Sequence, residues 1–161
     1  MLNKIILASK SKVRKDILDN NNIPNEVKPS NIDEDVVKEG LIKERATPEI
    51  ISKNLAELKA NKISLNELNQ LVLGADSVID LEGELISKPE NRKEALQILK
   101  KLNGKIHYLI SSVCISKNGE MIWNHTDKAI LTMKKFSDED LIKYLSKISD
   151  EALYAYNVYQ I

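Results

Sequence analysis

Asp76 stands inside the apolar stretch Leu71–Ile79, which reads Leu-Val-Leu-Gly-Ala-Asp-Ser-Val-Ile. A run of this length and composition suits a strand covered on both faces. An ionised carboxylate placed there costs roughly several kcal/mol unless a cation or hydrogen-bond donors meet it. Asp76 therefore either caps the end of the strand or belongs to a site in which something meets it. Gly74 removes a side chain just before it, so a ligand or another backbone can approach closely.

A second group of chemistry-bearing residues lies near the N-terminus. The strand-like run ending at Ala8 leads into Ser9-Lys10-Ser11-Lys12-Val13-Arg14-Lys15. Ser11 is placed to cap a helix, with its hydroxyl available to the amides of the first turn. Four cations crowd a helix end that already carries partial positive charge. They form either a solvated basic turn or an anion site, in which phosphate would meet free amides and a bidentate Arg14. The glycines of a Walker loop are missing. Further on, Ile32-Asp33-Glu34-Asp35 offers three hard carboxylates, read either as an acidic loop or as ligands for Mg²⁺ or Mn²⁺. Lys59 lies beside the apolar face of a predicted helix, where most lysines only snorkel. Lys88 ends a predicted strand paired with the one that carries Asp76.

The elements that must position these groups alternate along the chain. Lys4–Ala8 predicts a buried strand, and Ile17 and Leu18 begin an amphipathic helix closed by Asp19-Asn20-Asn21-Asn22. Pro24 and Pro29 mark an extended connection. Thr47-Pro48-Glu49 is a helix start with cap, proline and first-turn acid in order, and Ile51, Leu55 and Leu58 give that helix one apolar face. Asn61–Gln70 reads as a polar connection into the Asp76 strand. Glu82-Gly83 predicts a hairpin returning to Ser87-Lys88-Pro89. Asn91 opens a helix with Ala95, Leu96, Leu99 and Leu102 on one face, closed by Asn103-Gly104. His107–Ser116 and Met121–His125 are predicted strands joined by Asn118-Gly119, and Leu131–Phe136 is a further one. Ser137-Asp138-Glu139-Asp140 starts a last amphipathic helix.

Bulk properties narrow the function. Basic and acidic residues number 24 each, so no overall charge draws the chain to nucleic acid or to a membrane. Aromatics make up 4%, too few for a base-stacking platform. Cys114 is the only cysteine, which excludes an internal disulfide and fits a reducing compartment. His107 and His125 have no zinc-ligand spacing with it. No apolar run reaches membrane-spanning length or forms a signal peptide, so a cytoplasmic protein without nucleic-acid or membrane partners is expected.

Ile5-Ile6-Leu7-Ala8-Ser9 with Ser11 and Arg14 resembles the N-terminal signature of the Maf family of nucleoside triphosphate pyrophosphatases. Gly74-Ala75-Asp76-Ser77 is similar to that family's Gly-Ala-Asp-Thr motif. Lys88-Pro89, the helix after it, Leu102-Asn103-Gly104 and His107 resemble its Lys-Pro, helix, Leu-Ser-Gly, His stretch. The motifs run in order along nearly the whole chain. The resemblance implies an α/β fold, a long twisted mixed sheet flanked by helices, with two lobes and a central cleft. It implies one Maf-like domain over residues 1–161 that stops before the family's C-terminal portion, and it suggests a homodimer. It implies hydrolysis of a nucleoside triphosphate to the monophosphate and pyrophosphate with a divalent metal, in a house-cleaning role. A non-catalytic nucleotide-binding regulator of septum formation is the alternative. Carried over by position, Asp76 matches the proton acceptor, and Ser9, Ser11, Arg14, Lys59 and Lys88 match phosphate contacts. Glu34 matches a metal-side acid, as Asp76 does, while Val13 and Ser77 match positions tied to base choice. Val13 departs from both the Arg and the Trp that mark subfamilies there, and Tyr154–Val158 matches the family's Gly-Ala-Tyr-Gly-Ile segment only loosely.

Overall fold

The computed structural model describes residues 4–156 and residue 158. The chain alternates strands and helices, and five strands form a sheet in the order β2-β1-β3-β5-β6, with β4 paired to β3. Chain order begins with β1 (Ile5–Leu7), α1 (Lys12–Asn20), β2 (Asn25–Val27), α2 (Glu34–Lys43), α3 (Pro48–Ser64) and β3 (Val72–Leu81). It continues with β4 (Glu84–Ile86), α4 (Arg92–Leu102), β5 (Ile106–Lys117), β6 (Glu120–Thr132), α5 (Asp138–Lys147) and α6 (Asp150–Tyr156). The mixed α/β class expected from the sequence is the one observed. β1 runs parallel to both β2 and β3. Parallel neighbours need crossover connections, and α1 and then α2 with α3 supply them.

The chain divides into two compact units, the first comprising residues 1–77 and 110–127 and the second residues 78–109 and 128–161. The first unit is built on Ile6, Ala8, Ala56, Ala60, Val72 and Cys114, all buried. β1 sits between two strands, which is why its short apolar run has no polar face to spare. α3 lies on this core through Ile51, Leu55, Ala56 and Ala60. Its contact with β3 is unusually close at Gly74, where a Cβ would fall 2.1 Å from the Ala56 carbonyl oxygen. The glycine admits another backbone.

The second unit has its own core of Ile79, Leu81, Leu99, Leu102, Leu141, Leu145 and neighbours, with α4 packed on α5. β4 returns antiparallel to the end of β3, pairing Ile86 with Ile79. Arg92 joins α4 to α5 and α6 by donating to the Leu145 and Ile148 carbonyl oxygens and to Asp150. A pocket of about 460 Å³ opens in this unit between Leu99, Leu131, Met133, Phe136 and Leu141, with His107 and Asp140 at its wall. No lysine or arginine is among the described residues that line it.

The structure corrects four local expectations. The acidic run at 33–35 is a helix start: Asp33 accepts the Val36 N–H at 3.2 Å, and Glu34 and Asp35 lie in the first turn of α2, where the helix dipole favours them. α2 has no buried residue, and its apolar Val36, Val37, Leu41 and Ile42 are exposed or half-buried. α3 runs on to Ser64, four residues into the predicted connection, because Asn61 and Ser64 face β5 and the β5–β6 turn. Asn61 accepts the Ser116 hydroxyl at 2.6 Å, and the Ser64 hydroxyl accepts the Gly119 N–H at 2.9 Å. The extended connection after Pro24 contains β2. Met121–His125 and the first part of the predicted strand at 131–136 are one continuous strand, β6, ending at Thr132. The β5–β6 turn itself is as expected, with Asn118 and Gly119 both at positive φ, 52° and 88°. Asn157, Tyr159, Gln160 and Ile161, part of the closing stretch compared with the family, lie outside the described residues.

Candidate active site

Asp76 is 5% exposed in β3, as the sequence demands, and a cation meets it. Lys59, equally buried on α3, donates to Asp76 Oδ1 at 2.9 Å. The same ammonium lies 2.8 Å from Glu34 Oε1 and 3.5 Å from the Ala75 carbonyl oxygen. Three elements thus converge on one nitrogen: the first turn of α2, the middle of α3, and β3. Asp76 Oδ2 is buried and has no hydrogen-bond partner. Burial pushes the Asp76 carboxyl above the usual carboxylate range and Glu34 adds to this, while Lys59 and Arg14 pull it back. A carboxylate raised in this way is a stronger base than one in water.

The N-terminal turn is built around Ser9. Its Oγ accepts the Ser11 N–H at 3.2 Å and Arg14 Nη1 at 3.1 Å. With both acceptor positions used, the Ser9 hydroxyl proton is the part of the group left to donate. Ser11 caps α1, its Oγ accepting the Arg14 N–H at 3.4 Å. Burial holds the Arg14 guanidinium below its ordinary value, with Asp76 and Glu34 acting in the opposite direction, so Arg14 lies within electrostatic reach of both acids. The other cations of the turn point elsewhere. Lys12 pairs with Asp16 at 2.6 Å and Lys15 pairs with Asp19, each one turn further along α1. The basic cluster therefore resolves into one inward arginine, two surface lysines paired along the helix and an exposed Lys10 before it.

Ser9, Ser11, Arg14, Glu34, Lys59 and Asp76 all belong to the first unit and are linked by these contacts. Ser77 and Val13 belong to it too. Ser77 is exposed, its hydroxyl 3.0 Å from that of Ser111 on β5, and Val13 is exposed on α1. Lys88 belongs to the second unit, exposed in the segment between β4 and α4. Among the described residues no group of three or more His, Cys, Asp or Glu side chains is arranged to hold a metal ion. Sequence reading missed Ser52, whose buried hydroxyl donates to the Asp76 carbonyl oxygen at 3.2 Å. It stands seven residues before Lys59, two turns away on the same face of α3, and that spacing was the available signal.

The family described as Maf-like protein matches residues 4–160. The chain belongs to the Maf-like family. Among curated relatives, the nucleoside triphosphate pyrophosphatase of Pelagibacter ubique (strain HTCC1062) is 68% identical over 161 residues, covering all of this chain and 83% of that protein. The protein of the same name from Ruegeria pomeroyi (strain ATCC 700808 / DSM 15171 / DSS-3) is 38% identical, over 98% of this chain and 79% of its own. The 7-methyl-GTP pyrophosphatase of Brucella abortus biovar 1 (strain 9-941) is 34% identical, again over 98% and 79%. Among solved structures, the Ham1 protein of Staphylococcus aureus aligns with a TM-score of 0.47 at 16% identity, over 84% of this chain and 73% of that one. The buried Asp76 and Lys59 and the half-buried Glu34 form one charged group, and Ser9, Ser11 and Arg14 form the hydrogen-bonded turn at the start of α1. No helix among the described residues is long and apolar enough to cross a membrane.

Proposed function

We infer that this protein is a nucleoside triphosphate pyrophosphatase, hydrolysing the substrate to the monophosphate and pyrophosphate. The observation that carries the mechanism is Asp76, a dry strand carboxylate with one oxygen on Lys59 and the other without a partner. In the mechanism we propose, the triphosphate docks on the turn from Ser9 to Arg14. Arg14 grips phosphoryl oxygens in a bidentate way while the Ser9 hydroxyl and the amides at the start of α1 donate to others. Water attacks the α-phosphorus and passes its proton to Asp76 Oδ2. The bond from the α-phosphorus to the bridging oxygen breaks, and pyrophosphate leaves with that electron pair. Arg14 meets the charge that grows on the leaving group. Val13 and Ser77 are assigned to the base end of the substrate, and the wider role is removal of non-standard or surplus nucleotides in the cytoplasm.

A divalent cation, Mg²⁺ or Mn²⁺, fits the donor set, since Asp76 Oδ2 is an orphaned buried oxygen and Glu34 is a second hard ligand. Such ions are commonly held by one or two carboxylates together with substrate phosphates. When bound, the cation would supply polarisation of phosphoryl oxygens and neutralise charge.

The test is a screen for pyrophosphate release over canonical and modified triphosphates with Mg²⁺ or Mn²⁺. Stoichiometric monophosphate and pyrophosphate are expected, and excess chelator should abolish both. Release of inorganic phosphate in place of pyrophosphate, or full activity in chelator, would overturn the reading. The docking assignment has its own test. Arg14→Lys keeps the charge but loses the fork, so affinity for a non-hydrolysable triphosphate should fall on the order of tenfold or more. Lys15→Ala removes a surface cation already paired with Asp19, and should change affinity by less than about twofold. Equal losses would mean a diffuse basic patch.

A further inference from the structure

The Lys59 ammonium already engages both carboxylates proposed as cation ligands. It stands between the two carboxylates of the proposed cation site, 2.9 Å from Asp76 Oδ1 and 2.8 Å from Glu34 Oε1, with the Ala75 carbonyl oxygen at 3.5 Å. An ammonium has three protons, and three protein oxygens surround this one. Its side chain is 6% exposed. Its helix cannot approach β3 more closely, because Ala56 and Ala60 already lie directly against Gly74. Lys59 is therefore a fixed charge, held on the carboxylates from within the fold.

We propose that Lys59 is an internal counter-cation that competes with the divalent ion for Glu34 and Asp76, so that the free protein binds the ion weakly and takes it together with the triphosphate. The inference rests on the assignment of Glu34 and Asp76 as cation ligands and goes beyond it in naming what opposes binding. Without a substrate, an arriving ion meets Asp76 Oδ2, which is not on Lys59, and a Glu34 carboxylate already shared between Lys59 at Oε1 and Lys38, 3.9 Å from Oε2. It also enters within a few ångströms of a like charge in a water-poor setting, where repulsion is weakly screened. A bound triphosphate adds negative charge and hard oxygens on the open side, which offsets that repulsion. Lys59 is thus a positioning residue.

The experiment is Mn²⁺ binding followed by the paramagnetic resonance of the free ion, on the full chain without nucleotide. The parent is compared with Lys59→Met, which keeps the length and apolar stem without the charge. Tightening on the order of tenfold or more is expected in the variant, since a fixed like charge at short range is removed. The same measurement with a non-hydrolysable triphosphate should narrow the difference. Lys59→Gln, which retains a donor toward Asp76, is expected to tighten binding in the same sense. Equal or weaker Mn²⁺ binding in both variants, with measurable binding in the parent, overturns the inference and leaves the cation ligands standing. Absence of binding in parent and variants alike overturns both. Should either variant lack a folding transition without metal, millimolar Mn²⁺ is expected to restore it, and failure to do so counts against the proposal.

Discussion

Asp76→Asn should lower turnover by about 100-fold or more, within the range a lost general base produces, while leaving triphosphate affinity measured without a divalent cation close to that of the parent. The amide has the same shape and keeps an oxygen for the Lys59 ammonium, which lies 2.9 Å from Oδ1. The buried position therefore still fits, and the hydrogen bond that ties α3 to β3 survives. What disappears is the basic lone pair at Oδ2, replaced by an NH₂ that has no proton-accepting capacity. Burial raises the basicity of the parent carboxylate, so the variant loses more than an exposed aspartate would contribute. Pyrophosphate release under saturating substrate, alongside binding of a non-hydrolysable triphosphate, separates the two effects. A variant that turns over like the parent would make Asp76 a structural counter-ion of Lys59 and would end the proposed mechanism.

Gly74→Ala is expected to damage stability and turnover together. Its new Cβ would lie 2.1 Å from the Ala56 carbonyl oxygen, 2.8 Å from the Ala60 nitrogen and 2.9 Å from the Ala60 Cβ. Two of these atoms are backbone of α3, which has no rotamer to change. The helix must move off the strand, and overpacking of this severity costs about 3 kcal/mol or more. For a chain of this size that lowers the thermal midpoint by about 6–12 °C. Lys59 stands between Ala56 and Ala60 in sequence, so the displacement carries the ammonium away from Asp76. Turnover should fall on the order of tenfold or more even at temperatures where the variant is folded, since a small misplacement of catalytic groups has large effects. Gly40→Ala provides the contrast, because nothing lies within 4 Å of a Cβ there. In the interior of exposed α2 that change should be neutral or stabilise by up to about 1 kcal/mol. Equal melting behaviour of the two variants would show that α3 tolerates displacement and that Gly74 does not position Lys59.

Local chemistry made part of this protein legible in its residues. Ser11, Thr47, Asn91 and Ser137 each cap the helix they were expected to open, because a cap is satisfied within three residues of itself. Asn118-Gly119 specified its hairpin for the same reason. Asp76 could be singled out because a charge inside an apolar strand is conspicuous in one dimension. The helix α2 was hidden, since its cap and first turn are a run of three carboxylates that reads equally as an acidic loop. The continuity of β6 was hidden too, because nearly all of its residues are exposed and apolar alternation gives no signal there.

The distribution of charge in the site was decided by the tertiary structure. Lys12, Arg14 and Lys15 are near neighbours in the sequence, yet two pair along the helix surface and only Arg14 turns toward the acids. Lys59 looked like a snorkelling lysine, and its fate depended on a glycine 15 residues later that lets α3 lie directly on β3. Sequence determined which residues could carry charge into a dry interior. Which charges meet there depended on how closely two backbones pack, and that distance is set by side chains far apart in the chain.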